Sequence, residues 1–334
     1  MIGRRDHIFV TGSSGFVGRQ IVRRLVEDGF QVRALTRRVP RKTWGPSVET
    51  VLGDLSHPET YASALSGASA VVHAALTDDL SHEPRATSEL RELSAKAGVH
   101  KFVHLSSIVV YGNPLDGTIT EETAPIPSSD LYSRTKLAIE ETLRSSASTG
   151  EVVFLRLGCV YGPGGGWWTE ALLNQMQRGK LILVNSGTGI ANMIHVADVA
   201  AIVSVVLKRS GPAFEIFNVT DGVPVNWSRY FSELEKILGR SATVSMDALS
   251  AKEYGRKWLQ PSLARRVLRK LSGTPLIYPL DDHGIATFAS RAVYSNHKAA
   301  STLGFKPAYD LETGMQTLVS VAPTSQMSAL TQCT

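Results

Sequence analysis

Thr11-Gly12-Ser13-Ser14-Gly15-Phe16-Val17-Gly18 is the stretch whose surroundings decide the fold. Before it runs His7-Ile8-Phe9-Val10, short and β-branched, which reads as a strand. After it, Phe16, Val17, Ile21, Val22, Leu25 and Val26 recur at helical spacing as far as Asp28-Gly29. Gln31 to Thr36 then reads as a second strand. The glycines therefore sit where a strand turns into a helix, inside a βαβ unit. Gly12 suits a tight turn, Gly15 the close approach of a pyrophosphate, and Gly18 close packing of helix on strand. Ser14, Phe16 and Val17 complete the loop. Free N–H groups and the positive end of the helix dipole favour a phosphate at this turn.

The bulk numbers fit a globular α/β chain. It has 334 residues, 43% of them hydrophobic and 19% charged, enough for one large or two coupled domains. Met1 to Asp6 is polar and basic, with no apolar signal region. The longest apolar run, near Val199–Leu207, is far below the roughly 20 residues of a membrane span. Cys159 and Cys333 are the 2 cysteines and make no disulfide framework, which points to a reducing cytoplasm. Lys and Arg exceed Asp and Glu by 5, a modest excess that suits anionic small molecules as well as nucleic acid. No zinc-finger spacing, RNA-binding signature or internal repeat is present, so neither nucleic acid nor an integral-membrane role is expected.

The second strand ends in Thr36-Arg37-Arg38, with Arg41-Lys42 beyond. An acid at this strand end binds the ribose 2′-hydroxyl of NAD; an arginine accommodates the 2′-phosphate of NADP. Guanidinium offers that phosphate a planar, bidentate fork. Arg37 and Arg38 therefore predict NADP(H) in preference to NAD(H), against the plain alternative of a solvated basic loop. Val48–Gly53 reads as a third strand, followed by Asp54-Leu55 and a short helix over Pro58–Leu65. Ala70–Ala75 is a buried strand ending in small residues; Ala74, Ala75 and the following Leu76 would let a cofactor lie close. His73 reads as a satisfied strand-end histidine. A helix over Pro84–Ala97 precedes the strand Lys101–Ser107. His100 and His104 lack a third ligand in the sequence, and no metal site is expected.

The next helix, capped by Asp130 and running from Leu131 to Leu143, carries Tyr132 and Lys136 four residues apart on one face. A tyrosine beside an ammonium gives up its proton more readily than an isolated one. Such a phenol can exchange a proton with a carbinol or carbonyl oxygen near neutral pH. Ser107, at an adjacent strand end, is placed to hydrogen-bond the same oxygen. By spacing alone, a Tyr–Lys pair is more often a surface pair.

The chain resembles the extended short-chain dehydrogenase/reductases, the NAD(P)-dependent epimerase, dehydratase and reductase superfamily, nearly end to end. The resemblance rests on Thr11–Gly18, Asp54-Leu55, His73-Ala74-Ala75, Ser106–Gly112, Tyr132–Lys136 and Leu155–Pro163. It continues through Ile194–Ala200, Phe217-Asn218-Val219 and Leu303–Pro307. It implies a Rossmann-type doubly wound parallel sheet with a smaller, mostly helical C-terminal substrate domain. Residues 1–164, with 190–220 returning, would bind the dinucleotide. Residues 165–189 and 221–324 would bind substrate, and 325–334 would be a tail. It implies that Tyr132 is the acid/base, that Lys136 holds the nicotinamide ribose, and that Ser107 contacts the substrate oxygen. Asp54 and Leu55 would flank adenine; Leu157 and Gly158 would lie near the nicotinamide. A homodimer pairing through two helices, one of them the Tyr132 helix, is the family's usual assembly.

Departures from the pattern narrow the substrate. Glu83 stands where many members carry an asparagine at the head of a helix, and Ala75–Glu83 is short, which should open the nicotinamide side of the pocket. Cys159 replaces an asparagine that touches the diphosphate of sugar nucleotides. Gly164-Gly165-Gly166-Trp167-Trp168 is apolar, with no arginine nearby in the sequence. Trp167 and Trp168 read as packing residues at the head of a helix over Trp167–Arg178, His195 as structural, and Asn226 as the cap of a helix to Leu238. Trp258–Leu271 has an apolar face (Leu263, Val267, Leu268, Leu271) opposite Arg265, Arg266, Arg269 and Lys270. That pattern reads as a solvated basic face or as a lid for an anionic or lipid-like ligand.

Three functions compete. The first is an NADP(H)-dependent reductase or dehydrogenase of a small, largely apolar carbonyl or hydroxyl compound, a ketoreductase. The second is a nucleotide-sugar epimerase or dehydratase that recycles NAD(P) in place. The third is a redox-sensing binding protein, which Tyr132 and Lys136 together argue against.

Overall fold

The computed structural model describes residues 6–40, 44–126, 129–145, 150–259 and 276–319. Strands β1 (His7–Thr11), β2 (Gln31–Thr36), β3 (Val48–Leu52), β4 (Ala68–His73) and β5 (Lys101–Ser107) enclose helices α1 (Phe16–Glu27) and α2 (Glu83–Lys96). The short β6 (Thr118–Ile119) precedes α3 (Leu131–Ser145), β7 (Glu151–Leu157) and β8 (Cys159–Tyr161). A wide π-helical turn, Gly166–Ala171, opens α4 (Leu172–Arg178), followed by β9 (Gly179–Val184), β10 (Met193–His195), α5 (Val196–Lys208) and β11 (Phe214–Val219). The C-terminal part holds α6 (Trp227–Leu238), β12 (Thr243–Met246), α7 (Ala248–Leu259), β13 (Leu276–Tyr278) and α8 (Asp282–Ala289). It ends with β14 (Val293–Tyr294), α9 (His297–Leu303) and α10 (Leu311–Val319).

Seven strands form one parallel sheet in the order β3-β2-β1-β4-β5-β7-β11. The direction of winding reverses between β1 and β4, where Thr11 stands opposite His73. A crevice outside the carboxyl ends of the strands is expected at such a switch point. Each face of the sheet has its own helical cover, because parallel strands are apolar on both sides. On one face α1 packs against the sheet through Ile21, Val22 and Leu25, while Arg19, Arg23 and Glu27 point outward. The apolar run Val199–Leu207 lies within α5, which packs beside α1 in the same core. On the other face α2 and α3 cover Phe102, Phe154 and Val71 with Leu90, Ile139 and Leu143. Each fully buried leucine here stabilises the chain by about 1.5–3 kcal/mol.

A separate apolar core, with Trp227, Tyr230, Phe231 and Phe288 at its centre, gathers α4, α6, α8 and α10. Helices dominate it, and a three-stranded parallel sheet, β12-β9-β13, runs through it. No sequence signal marked that sheet, whose strands are contributed by distant segments. Pro58–Leu65 is two 3-10 turns, Pro58–Thr60 and Ala62–Leu65, rather than one helix, because Tyr61 between them leaves helical φ/ψ. Asn226 occupies the N-cap of α6 with extended backbone, yet its side chain makes no capping bond. Trp258 and Leu259 end α7; the basic and apolar faces expected over Leu263–Leu271 lie outside the described residues, as do Arg41-Lys42 and 325–334. No helix among the described residues is long and apolar enough to cross a membrane.

Candidate active site

Gly12 turns the chain out of β1 with φ +66°, a conformation that glycine adopts without strain. A side chain there would also meet the Ala74–Ala75 backbone at 2.7 Å, so β4 closes against the loop. At Gly18 a Cβ would sit 2.0 Å from the Gly12 carbonyl oxygen, which is how α1 starts so close to β1. The helix has Gly15 at its N-cap, no side-chain capping bond and no acid in its first turn. Its leading N–H groups are therefore left to a ligand with anionic oxygens. Ser14 and Gly15 are exposed, while Ser13 donates to the Leu35 carbonyl at 2.7 Å and ties the loop to β2.

Arg37 and Arg38 follow β2 and are exposed. Arg37 pairs with Asp78, in the loop after β4. An exposed pair of this kind is worth little and yields to a better anion. Asp54 accepts from Ser56 N at 2.9 Å and shapes its own turn, and Leu55 is buried in the core beside Val51 and Tyr61.

One cavity of about 730 Å³ runs from this loop into the second core. Phe16, Val17, Ala74, Leu76, Leu157 and Gly158 line one part of it, and Ser107, Tyr132 and Lys136 stand in the same wall. Gly12, Ser14, Gly15 and Gly18 of the loop, and Arg37, Arg38, Asp54, Leu55 and Ala75, lie outside this lining. Ser107 ends β5, accepting from Val109 N at 3.4 Å and capping the turn Ile108–Tyr111. Asp130 caps α3 by accepting from Ser133 N at 2.7 Å and Ser133 Oγ at 2.8 Å. That cap fixes the first turn of α3, which carries Tyr132. Lys136 donates to the Leu105 carbonyl at 2.8 Å, and its ammonium lies 5.9 Å from the centre of the Tyr132 ring.

Burial raises the Tyr132 phenol above its ordinary pKa, Asp130 adds to that, and a hydrogen bond with Ser107 opposes it. Burial also brings the Lys136 ammonium down to about 8, against the pull of Glu83 and Glu140. The lowering of the phenol expected from Lys136 does not appear: burial sets the direction, and Ser107, not Lys136, is the group that opposes it. His73 is a satisfied strand-end histidine: fully buried, with Nδ1 2.8 Å from Thr11 Oγ1 and Nε2 3.1 Å from Thr87 Oγ1. His195 caps α5, and burial takes its imidazole down to about 4. Among the described residues no group of three or more His, Cys, Asp or Glu side chains is placed to share a metal ion.

The far part of the cavity is aromatic and aliphatic. Trp167 and Trp168 both line it, so they do more than pack; Trp168 stacks at 5.1 Å on Trp227, which lines it too. Cys159 is buried in the same wall. Leu172, Leu181 and Phe288 add apolar surface. A polar group of Asn113, Asp130, His283 and Thr287 interrupts it, with Asn113 Nδ2 3.3 Å from His283 Nδ1. Asn113, Asn192, His283 and Phe288 were not foreseen from the sequence, since residues that meet only in the folded chain carry no local motif. The loop after β4 is drawn in rather than splayed: Glu83 accepts from Thr77 N, and Thr135 donates to the Leu80 carbonyl at 3.2 Å. The glycine turn that lacked an arginine in sequence receives one in space, as Arg19 donates to the Gly164 carbonyl.

A dinucleotide-type loop at the switch point of a doubly wound sheet, opening into a cavity with a tyrosine and a lysine one helical turn apart, defines a class. Residues 8–220 match the NAD dependent epimerase/dehydratase family, and the chain belongs to it. It is similar to a 4-hydroxy-2-methyl-3-oxo-4-farnesyl-3,4-dihydroquinoline-1-oxide ketoreductase of Stigmatella aurantiaca, 28% identical over 71% of this chain and 74% of that protein. It is also similar to a 3-beta-hydroxysteroid dehydrogenase of Mycolicibacterium neoaurum, 27% identical over 92% of this chain and 89% of the other. MoeE5, solved in complex with UDP-glucuronic acid and NAD, shares the fold with a TM-score of 0.73 at 24% identity, covering 96% of this chain and 99% of that one.

Proposed function

We propose that this enzyme is an NADP(H)-dependent reductase, or the reverse dehydrogenase, acting on the carbonyl or hydroxyl carbon of a largely apolar metabolite. The observation that carries the reading is the shared cavity: Ser107, Tyr132 and Lys136 in one wall, Phe16 and Gly158 beside them, and Trp168, Trp227 and Phe288 beyond. The glycine loop fits a dinucleotide because its helix start is uncapped, and because Gly12 and Gly18, where a Cβ would strike the Ala74–Ala75 and Gly12 backbone, let the turn close tightly ahead of that helix start. Gly12, Ser14, Gly15, Phe16, Val17 and Gly18 would hold the pyrophosphate side. Arg37 and Arg38 would hold the 2′-phosphate, Asp54 and Leu55 the adenine side, and Ala74, Ala75, Leu76, Leu157 and Gly158 the nicotinamide side. The bound nicotinamide supplies the hydride acceptor or donor. Residues 1–164 and 190–220 form the dinucleotide domain in this reading, and 165–189 with 221–324 the substrate domain. The protein works as a cytoplasmic homodimer through α3 and a second helix.

Within the cavity Tyr132 passes its phenolic proton to the substrate oxygen in reduction and takes it back in oxidation. Ser107 donates to the same oxygen and fixes its distance from the phenol. Lys136 keeps a positive charge beside the ring that favours the phenolate as the proton leaves. The raised phenol suits the acid role, because it stays protonated until the substrate oxygen needs its proton. The apolar far wall favours a polycyclic or chain-like substrate over a sugar diphosphate.

A screen of grouped carbonyl compounds for stoichiometric loss of NADPH absorbance tests the reading. Net consumption is expected, and it separates reduction from an epimerisation that returns its cofactor unchanged. Tyr132→Phe should bind NADPH normally and lose about 10²–10⁴-fold in turnover. Full turnover by that variant would end the case for Tyr132.

A further inference from the structure

The polar group that interrupts the apolar wall has one hydrogen-bond donor to spare. Asn113 comes just after the turn Ile108–Tyr111, while His283 and Thr287 stand one helical turn apart on α8; all three line the cavity. Both sides of this contact are fixed. The Ser290 hydroxyl donates to the Pro114 carbonyl at 2.6 Å and Arg291 N to the Leu115 carbonyl at 2.8 Å, which ties the loop of Asn113 to the end of α8. Asp281 caps α8 by accepting from Gly284 N at 2.7 Å and so sets the first turn, which carries His283.

Within this frame the Asn113 amide lies between the other two side chains. Its Nδ2 meets His283 Nδ1 at 3.3 Å, and its Oδ1 accepts from Thr287 Oγ1 at 3.4 Å, a hydroxyl that also reaches the His283 carbonyl at 2.9 Å. An amide nitrogen only donates, so Nδ1 is the acceptor and the ring keeps its proton on Nε2. Among the described residues the hydrogen bonds of His283 end there, and Nε2 has no partner. Trp168, Trp227 and Phe288 in the same cavity offer it no acceptor. Charge decides what kind of acceptor suits it. Asp130 and Asp281 line the cavity, and Lys136 is the one lysine or arginine among its described lining residues. Lys136 is engaged with the Leu105 carbonyl. A carboxylate or phosphate entering a wall with two carboxylates is repelled; an uncharged carbonyl, ether or hydroxyl oxygen is not.

We propose that His283 is a specificity-determining residue, whose Nε2–H donates to a second, uncharged oxygen of the substrate, apart from the one that meets Tyr132 and Ser107. The substrate is then an apolar framework carrying at least two neutral oxygens. The inference rests on the reduction assigned to this cavity above, but its test reads binding. In full-length protein carrying 15N-histidine, with His283→Gln to assign the signal, His283 should show the Nε2–H tautomer above the pH at which imidazole titrates. An Nδ1–H tautomer overturns the proposal. Androstane monoketones, and diones that differ from them by one oxygen at varied distance, are then titrated against the fluorescence of Trp167, Trp168 and Trp227, which line the cavity. The best dione should bind about 3–10-fold more tightly than its monoketone, the worth of one neutral hydrogen bond. His283→Phe should remove that preference, and His283→Gln, whose amide also donates, should restore part of it. A wild type that prefers no dione, or a preference that survives in His283→Phe, overturns the proposal. Should His283→Phe not fold, Asn113→Leu, which frees Nδ1, must lower the preference instead, and no change overturns the proposal. Dione preference in a chain that consumes no NADPH with any of these ketones would refute the proposed reduction and leave the role of His283 standing.

Discussion

Glu140 and Arg156 show how single residues hold the site from behind. Their bidentate contact joins α3 to β7 beneath the residues that face the cavity, and Arg156 also lies 4.6 Å over the Tyr111 ring. Removing one partner leaves the other charged and dry. Glu140→Ala should therefore cost about 3–5 kcal/mol of stability, read as a lower urea midpoint. A loss under about 1 kcal/mol would mean that water reaches the guanidinium. By spacing alone Tyr132 and Lys136 read as a surface pair; it was the resemblance of the surrounding motifs that marked them, and the fold puts both in the cavity wall. The buried pair Glu140 and Arg156 was not legible in the sequence, because it joins a helix to a strand only in the folded chain and carries no local motif. The same holds for His283 and Asn113, which come from segments 170 residues apart.

At the scale of elements, the β1–α1 turn was readable almost in full. A strand, three glycines and an amphipathic helix follow one another without a break, so local pattern and final structure agree. Gly18→Ala tests the close start of α1. Its methyl group has no room against the Gly12 carbonyl, so the variant should lose about 1–3 kcal/mol of stability and bind NADPH more weakly. Urea unfolding and NADPH fluorescence check the two effects. At the end of β2 the prediction concerns preference. Arg37 leaves an exposed pairing with Asp78 to meet a phosphate in the proposed complex. Arg37→Ala should then weaken NADPH by about 1.5–3 kcal/mol and leave NADH nearly unchanged. Equal loss for both dinucleotides would show that Arg37 never meets a 2′-phosphate. The β12-β9-β13 sheet was hidden from the sequence for the opposite reason. Its strands are short, and what pairs them lies 60 or more positions away in the chain, as with Thr243 and Leu181.

At the scale of the molecule, buried ionisable groups make stability depend on pH. Asp221 is nearly buried, one of its carboxylate oxygens has no partner, and burial raises its pKa from an ordinary 3.8 to about 7. The folded chain thus keeps a proton that the unfolded chain has already released. The stability from this group is complete below about pH 4 and is lost as pH rises through about 7. Asp221→Asn should flatten that decline, as read from urea midpoints across the window. A slope identical to wild type would remove Asp221 from the account.

The crossing from the parallel sheet into the second core has a further consequence. Gly164, Gly165 and Gly166 all hold positive φ, and a side chain at either of the last two would meet Phe16 of the first turn. A methyl group at Gly166 would stand 2.7 Å from the Phe16 ring. Phe16 and Trp167 are both walls of one chamber. Reshaping this chamber for a new guest, whether by evolution or at the bench, therefore disturbs the hinge of one half and the doorstep of the other in a single stroke. Under the proposed reading, in which Phe16 lies on the coenzyme side and Trp167 on the substrate side, specificity and coenzyme grip have to be retuned together.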